Sequence, residues 1–290
     1  MTKLTTDKLT RQTWFTSESV IYWGIIWATV SIALYLNFSV VDPNTDRPIW
    51  FILVTTGLEE IGLIISGCLC LRNYWSEYIS GSRVVWLLFA IAMFAFFVGN
   101  LWFCLWELVW KLDPVAAVGS IVGCWLTTLS ATAAVQPISI VRMAAASSSS
   151  TLAVITAPRI PTQTTSTALE RPPEWVLAID RSMQPLVTTF NLFYVLCDLV
   201  LLTFAAILLL GFWGGQLGLP WRMMAQAVLC FYLADTWFAY ANHRVQGYES
   251  GSIMEVFWIF GIVQFGIAAA LEFDNSIRAR RLARRRTAIN

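Results

Sequence analysis

The chain alternates between long apolar runs and short polar breaks. A membrane-spanning helix needs about 20 mostly apolar residues. Seven stretches meet that length: 20–39, 49–71, 84–110, 115–136, 187–211, 219–241 and 253–273. Their boundaries carry Gly, Pro, Asn, Asp and Ser, which end helices and solvate turns. "VDPNTDRP" follows the first run, "RNYWSEYISGSR" the second and "KLDP" the third. "GFWGGQLGLP" separates the fifth from the sixth, and "HRVQGYESGS" the sixth from the seventh. The pattern predicts an all-α polytopic membrane bundle of about seven helices. It divides the chain into a polar N-terminal tail (1–19), a first transmembrane unit (20–142), a linker (143–186), a second transmembrane unit (187–273) and an Arg-rich tail (274–290).

Within the linker, 143–172 is rich in Ser, Thr, Ala and Pro and too polar to span, which predicts a flexible connection. "PEWVLAIDRSMQPL" after it has the make-up of a helix lying along the membrane surface, with Trp175 at headgroup level. Composition agrees with the membrane reading: 57% of residues are hydrophobic and only 13% charged, against roughly a quarter charged in soluble domains. The net charge of +1 names no partner, and the single basic run is too short to suggest nucleic acid. All six cysteines lie within apolar runs and read as small hydrophobes. Trp residues at helix ends form an aromatic belt. Trp102, Trp106, Trp125, Trp237 and Trp258 sit deeper and are expected to pack between helices or line a pocket.

"RARRLARRR" places six arginines just beyond the last helix. The positive-inside tendency puts that tail in the cytoplasm. Seven crossings then leave the N-terminus and the linker outside.

Two stretches echo each other. "GNLWFCLWELVWKLDPVAAVGSI" (99–121) and "ADTWFAYANHRVQGYESGSIMEV" (234–256) both run small residue, polar residue, spacer, Trp-Phe, polar turn and Gly-Ser-Ile. "LEEIGLIISGCLC" (58–70) and "VLCDLVLLTFAAI" (195–207) precede them. The alignment matches Glu60 with Asp198, Asn100 with Asp235 and Trp102 with Trp237. It suggests a 3+3 repeat of helices. Three helices per unit would invert one unit relative to the other, as in several transporter folds.

The matched polar residues are the candidate ligand-binding or polar-core set: Asp198, Asp235, Asn100, Glu60, Trp102 and Trp237. A carboxylate among lipid-spanning helices costs about 2.5–3.5 kcal/mol even on lenient scales. Such acids are protonated, face a wet cavity or cation, or sit near the interface. Asp198 and Asp235 are the most central. Helix-to-helix hydrogen bonding and a ligand or proton site are both open readings for them. Glu255 stands at a helix start, where the dipole favours it, and Glu107 is close enough to a helix end to reach headgroups. Glu59 and Glu60 are adjacent and point about 100° apart. His243, the sole histidine, reads as an interfacial, solvated side chain. Phosphate-loop, nucleophile-elbow and zinc-protease motifs are absent from the sequence. No catalytic residue, metal or cofactor is expected.

"GNLWFCLWELVWKLDP", "LFYVLCDLVLLTFAAILLL" and "YLADTWFAYANHRVQGYESGSIMEVFWIFGIVQFGIAAAL" resemble the multi-helix membrane sensor modules that precede diguanylate-cyclase domains in bacterial signalling proteins. The resemblance covers about 84–126 and 190–272. Such modules tend to have eight helices, and the catalytic output domain has no counterpart after Phe273. The resemblance therefore implies a non-catalytic sensor-like or partner-binding module in a bacterial inner membrane, working through a separate protein or an oligomer. Central acids keep a transporter or channel for a proton, cation or small solute open, and an accessory subunit of a larger membrane complex is a third reading.

Overall fold

A computed structural model describes residues 16–40, 47–79, 83–110, 172–183, 218–244 and 250–287, with isolated positions between 185 and 207. Expected spans 115–136 and 187–211 lie wholly or largely outside the described residues, as do the linker 143–171, Asp198 and the side chain of His243. All regular structure among the described residues is helical. The helices are α1 (Ser17–Phe38), α2 (Ile49–Trp75), α3 (Arg83–Cys104, continued by a π turn over Leu105–Val109), α4 (Glu174–Met183), α5 (Leu219–Arg244) and α6 (Val256–Thr287). A 3-10 turn, Ile253–Glu255, leads into α6. Four stretches are long and apolar enough to cross a membrane: Ser17–Phe38, Ile49–Trp75, Arg83–Val109 and Ile253–Thr287. Helix α5 is of similar length but carries Arg222, Gln226, Asp235 and Asn242.

Helix starts follow local chemistry. Thr16 caps α1, its hydroxyl accepting from the Ser19 backbone N–H at 3.3 Å. Asp274 of α6 also accepts from the Ser17 N–H at 2.9 Å, placing a negative charge at the positive end of α1. Pro48 precedes α2, where its missing N–H costs nothing. Helix α6 runs well past the expected end of its span at 273, through Thr287. Arg, Ala and Leu are strong helix formers, and no Gly or Pro follows Gly266 to stop it.

Helix α6 is the spine. Helices α1, α2 and α5 all pack on it, and α3 packs on α2. Lipid gives helices no hydrophobic reason to associate, so close approach and hydrogen bonds must hold them. Small residues supply the approach. A Cβ on Gly62 would come within 2.9 Å of Ile262, one on Gly24 within 2.9 Å of Val263, and one on Gly266 within 2.9 Å of the Ser66 hydroxyl. Ala268, Ala269 and Ala270 are fully buried. Two polar side chains of α2 then reach the α6 backbone. Ser66 donates to the Ile262 carbonyl at 2.8 Å, and Asn73 donates to the Ala269 carbonyl at 2.9 Å. Both donor and acceptor advance seven residues, so the helices run in the same direction at this seam.

Ring contacts fix the other directions. Phe231 of α5 meets Phe265 at 5.9 Å, while Trp258 reaches back to Asp235, so α5 and α6 are antiparallel. Phe89 of α3 meets Phe265 at 5.6 Å, and Asn100 meets Glu59 of α2. Consequently α1, α3 and α5 begin at one end of the bundle, where α2 finishes and the Arg-rich end of α6 leaves. We call this the tail end and the other the far end. Seven crossings would put the start of the first helix and the exit of the last at opposite ends. The Ser17–Asp274 bond places them at the same end.

The chain leaves α3 at the far end near Trp110. Helix α4 sits there too, with Trp175 edge-on to Trp110 at 5.7 Å. Re-entry into α5 at 218 is at the tail end. Helix α4 buries Val176 and exposes much of the rest, as expected for a helix lying along a surface. Cysteines substituted at Glu18 and Arg278, in a cysteine-free background, are expected to react with a membrane-impermeant maleimide from the same side of the membrane. Labelling from opposite sides would contradict this arrangement.

Candidate functional site

The polar residues gather in two layers. The inner one joins α1, α2 and α3. Glu59 is buried, with Tyr35 donating to its Oε1 at 3.5 Å and Asn100 donating to its Oε2 at 3.2 Å. One turn further along α3, the Cys104 thiol meets the Thr56 hydroxyl at 3.6 Å. That thiol lies within electrostatic reach of Glu59, Glu60 and Glu107.

Glu60 is different. It is 7% exposed, yet neither carboxylate oxygen has a hydrogen-bond partner among the described residues. The helical step separates the neighbours as expected: Glu59 faces Tyr35 and Asn100, and Glu60 faces elsewhere. The sequence reading put Glu60 in the candidate set, but Asn100 bonds the adjacent Glu59.

On the α5–α6 side, Asp235 accepts from the Trp258 indole at 2.8 Å. Deeper along the same pair, Gln264 donates to the Cys230 sulfur at 3.4 Å. Asp198, the expected second central acid, lies outside the described residues.

The far-end layer is built on the turn before α6. Gly251 adopts φ +103, a left-handed conformation that glycine tolerates, and a Cβ there would meet Phe51 at 2.9 Å. Ser252 and Glu255 form a capping box. Glu255 accepts from the Gly251 and Ser252 N–H groups at 2.7 and 3.1 Å. Trp237 donates to the Ser252 hydroxyl at 2.7 Å, and Ser250 donates to Glu107 at 3.0 Å. Arg47 ties the first interhelical connection to this turn by donating to the carbonyls of Ser39 and Ser250. Glu107 sits in the π turn. A row of rings runs into it: Trp102 stacks on Trp106 at 4.6 Å, and Trp106 meets Trp110 edge-on at 4.6 Å. Trp106 is buried, while Trp102 remains 39% exposed.

Asn100 and Asp235 were matched as echoing positions. Their helices carry matching contacts: Phe96 meets Phe231 at 5.6 Å and Phe103 meets Phe238 at 5.9 Å, each a step of 135 positions. The same step takes Asn100 to Asp235 and Trp102 to Trp237. Helices α3 and α5 thus run parallel in the register of the echo. The expectation that the two units are inverted fails for this pair. Inversion assumed two crossings between the matched helices, and the parallel ring contacts require an odd number.

Of the candidate set, the structure joins Asn100 to the Glu59 pair, Asp235 to Trp258, and Trp237 to the capping turn; it does not gather them around one cavity point. Sequence reasoning missed Tyr35, Thr56, Ser66, Asn73 and Ser252. Each is a common polar residue inside or beside an apolar run. Only Ser252, three residues before Glu255, carried a readable signal, that of a capping box. Among the described residues, no group of three or more His, Cys, Asp or Glu side chains is arranged to hold a metal ion. No protein-family model, curated protein or solved structure matches the chain.

Replacing Trp258 with Phe is expected to destabilise the protein by about 1–3 kcal/mol, because it strips the indole donor from Asp235. Asp235→Asn keeps an acceptor for that donor and is expected to cost less. Unfolding midpoints in detergent check the order, and equal or reversed effects would contradict the assignment.

Proposed function

We propose that the protein is a non-catalytic integral membrane module, sensor-like or partner-binding, that relays to or assembles with a separate protein. One observation carries this reading. Four described acids within the bundle already accept hydrogen bonds from neighbouring helices or turns: Glu59 from Tyr35 and Asn100, Glu107 from Ser250, Asp235 from Trp258, and Glu255 from its own capping turn, which leaves Glu60 and Glu272. Carboxylates used this way hold helices together. A transport site needs ligand groups that are free to exchange partners. The likeness of 84–126 and 190–272 to bacterial sensor modules points the same way, as does a basic helix projecting from the bundle.

Orientation and helix count follow the ends of the bundle. The tail end carries Arg72, Arg83, Arg222 and the arginines of the last helix. The positive-inside tendency therefore supports a cytoplasmic C-terminus, in a bacterial inner membrane on the sensor-module reading. The start of α1 shares that end, which favours an even number of crossings over seven. Because the α3 and α5 motifs run parallel, any true repeat would be related by an axis along the membrane normal.

A second reading rests on Glu60. Its carboxylate is fully buried with no hydrogen-bond partner among the described residues, which suits it to hold a proton or a small cation. Reconstituted vesicles loaded with a pH-sensitive or cation-sensitive dye distinguish the two. The module reading expects flux no greater than in empty vesicles. Flux that Glu60→Gln abolishes would replace it with the transporter reading.

A further inference from the structure

The last helix does not stop at the membrane. Helix α6 is unbroken over 32 residues, about 48 Å at 1.5 Å per residue. The hydrocarbon core takes up about 20 residues, and the apolar run closes at Phe273. Beyond it the helix continues into water, and every residue from 278 to 287 is exposed. Six of these are arginines, and no acid follows Asp274. Arg280 lies back over the Tyr78 ring at 5.4 Å, which directs that side of the helix toward the bundle.

Among the arginines stands Leu282, 58% exposed. Arg278 precedes it by four residues, and Arg285 and Arg286 follow by three and four, so all three flank it on the helix surface. Ala279 and Ala283 lie beside Leu282 and keep the surface low. The outcome is a shallow apolar strip with a cationic rim, carried on a rigid rod.

Distance selects among anionic partners. The headgroup layer adds only about 5–7 Å on each side of the core. Arg284 stands about 16 Å beyond Phe273 along the helix axis. The gap that remains is about one Debye length at 0.1 M salt. Anionic headgroups reach Arg278, but an upright helix holds Arg284, Arg285 and Arg286 beyond them. A nucleic acid would engage the arginines and leave the apolar strip unused.

We propose that residues 278–287 are a docking site for an acidic amphipathic segment of a water-soluble protein. Leu282 enters an apolar notch on that segment while Arg278, Arg285 and Arg286 pair with its carboxylates. This rests on the relay reading above and names the chemistry of the partner.

The full-length protein in phosphatidylcholine nanodiscs, with two fluorescent synthetic helical peptides as probes, tests it. One peptide carries glutamates flanking a leucine stripe. The other has glutamines in place of the leucines at the same charge. The leucine peptide is expected to bind about tenfold more tightly. Leu282→Gln is expected to erase that difference, and Gln at Arg285 and Arg286 together to weaken both peptides. Equal binding of the two peptides to the unmodified protein would overturn the proposal, as would loss of binding when phosphatidylserine is added to the nanodiscs. Both variants alter exposed positions, and unchanged helicity and elution volume confirm that they fold. The peptide measurement involves neither the buried carboxylates nor flux, so its failure and that of the relay reading are seen separately.

Discussion

A polar group inside a lipid-embedded bundle has no water to fall back on, and the neighbouring helix must satisfy it. The seam between α2 and α6 shows the constraint most plainly. Ser66 and Asn73 send their donors across to α6 carbonyls, and Gly62, Gly266 and the buried alanines let the two backbones come near enough. Such bonds average about 0.6 kcal/mol in membranes, so no single one holds the fold. Their value lies in direction. Two bonds seven residues apart permit one register, and with α6 fixed against α2 the remaining helices have few ways to pack.

The acids follow the same rule at higher stakes. Glu59 links α2 to α1 and α3, Asp235 links α5 to α6, and Glu107 joins the end of α3 to the turn before α6. Glu255 holds that turn by satisfying its backbone donors. Each helix is thereby tied to another at a defined depth. The two ends of the bundle are also unlike. The far end is an inward-facing network of carboxylates, hydroxyls and indoles anchored by Arg47. The tail end sends a cationic helix outward. Helix α6 is continuous from one to the other.

Much of this was legible in the residues. Apolar run lengths located α1, α2, α3, α5 and the membrane part of α6 to within a few residues. The position of Glu255 at a helix start anticipated its cap, and the adjacency of Glu59 and Glu60 anticipated their divergence. The 135-residue offset that pairs Asn100 with Asp235 is also the offset of the Phe96–Phe231 and Phe103–Phe238 contacts. Other features were hidden for physical reasons. Helix direction depends on how many crossings intervene, so one miscounted segment flips everything after it. Ser66 and Asn73 sit in apolar runs with no motif, and their role exists only once α6 lies alongside. The aqueous extension of α6 has no apolar period to announce it; its helicity comes from propensity alone.

In this bundle the hydrogen-bonded acids serve as interhelical partners. A double-mutant cycle on Glu59 and Asn100, measured by unfolding in lipid or mild detergent, tests it most directly. Glu59→Leu, Asn100→Ala and the double variant are compared with the unmodified protein. The claim predicts a favourable coupling of about 0.5–1.5 kcal/mol between the two side chains. Additive losses, with no coupling, would mean that Glu59 and Asn100 do not bond across the helices and would contradict it.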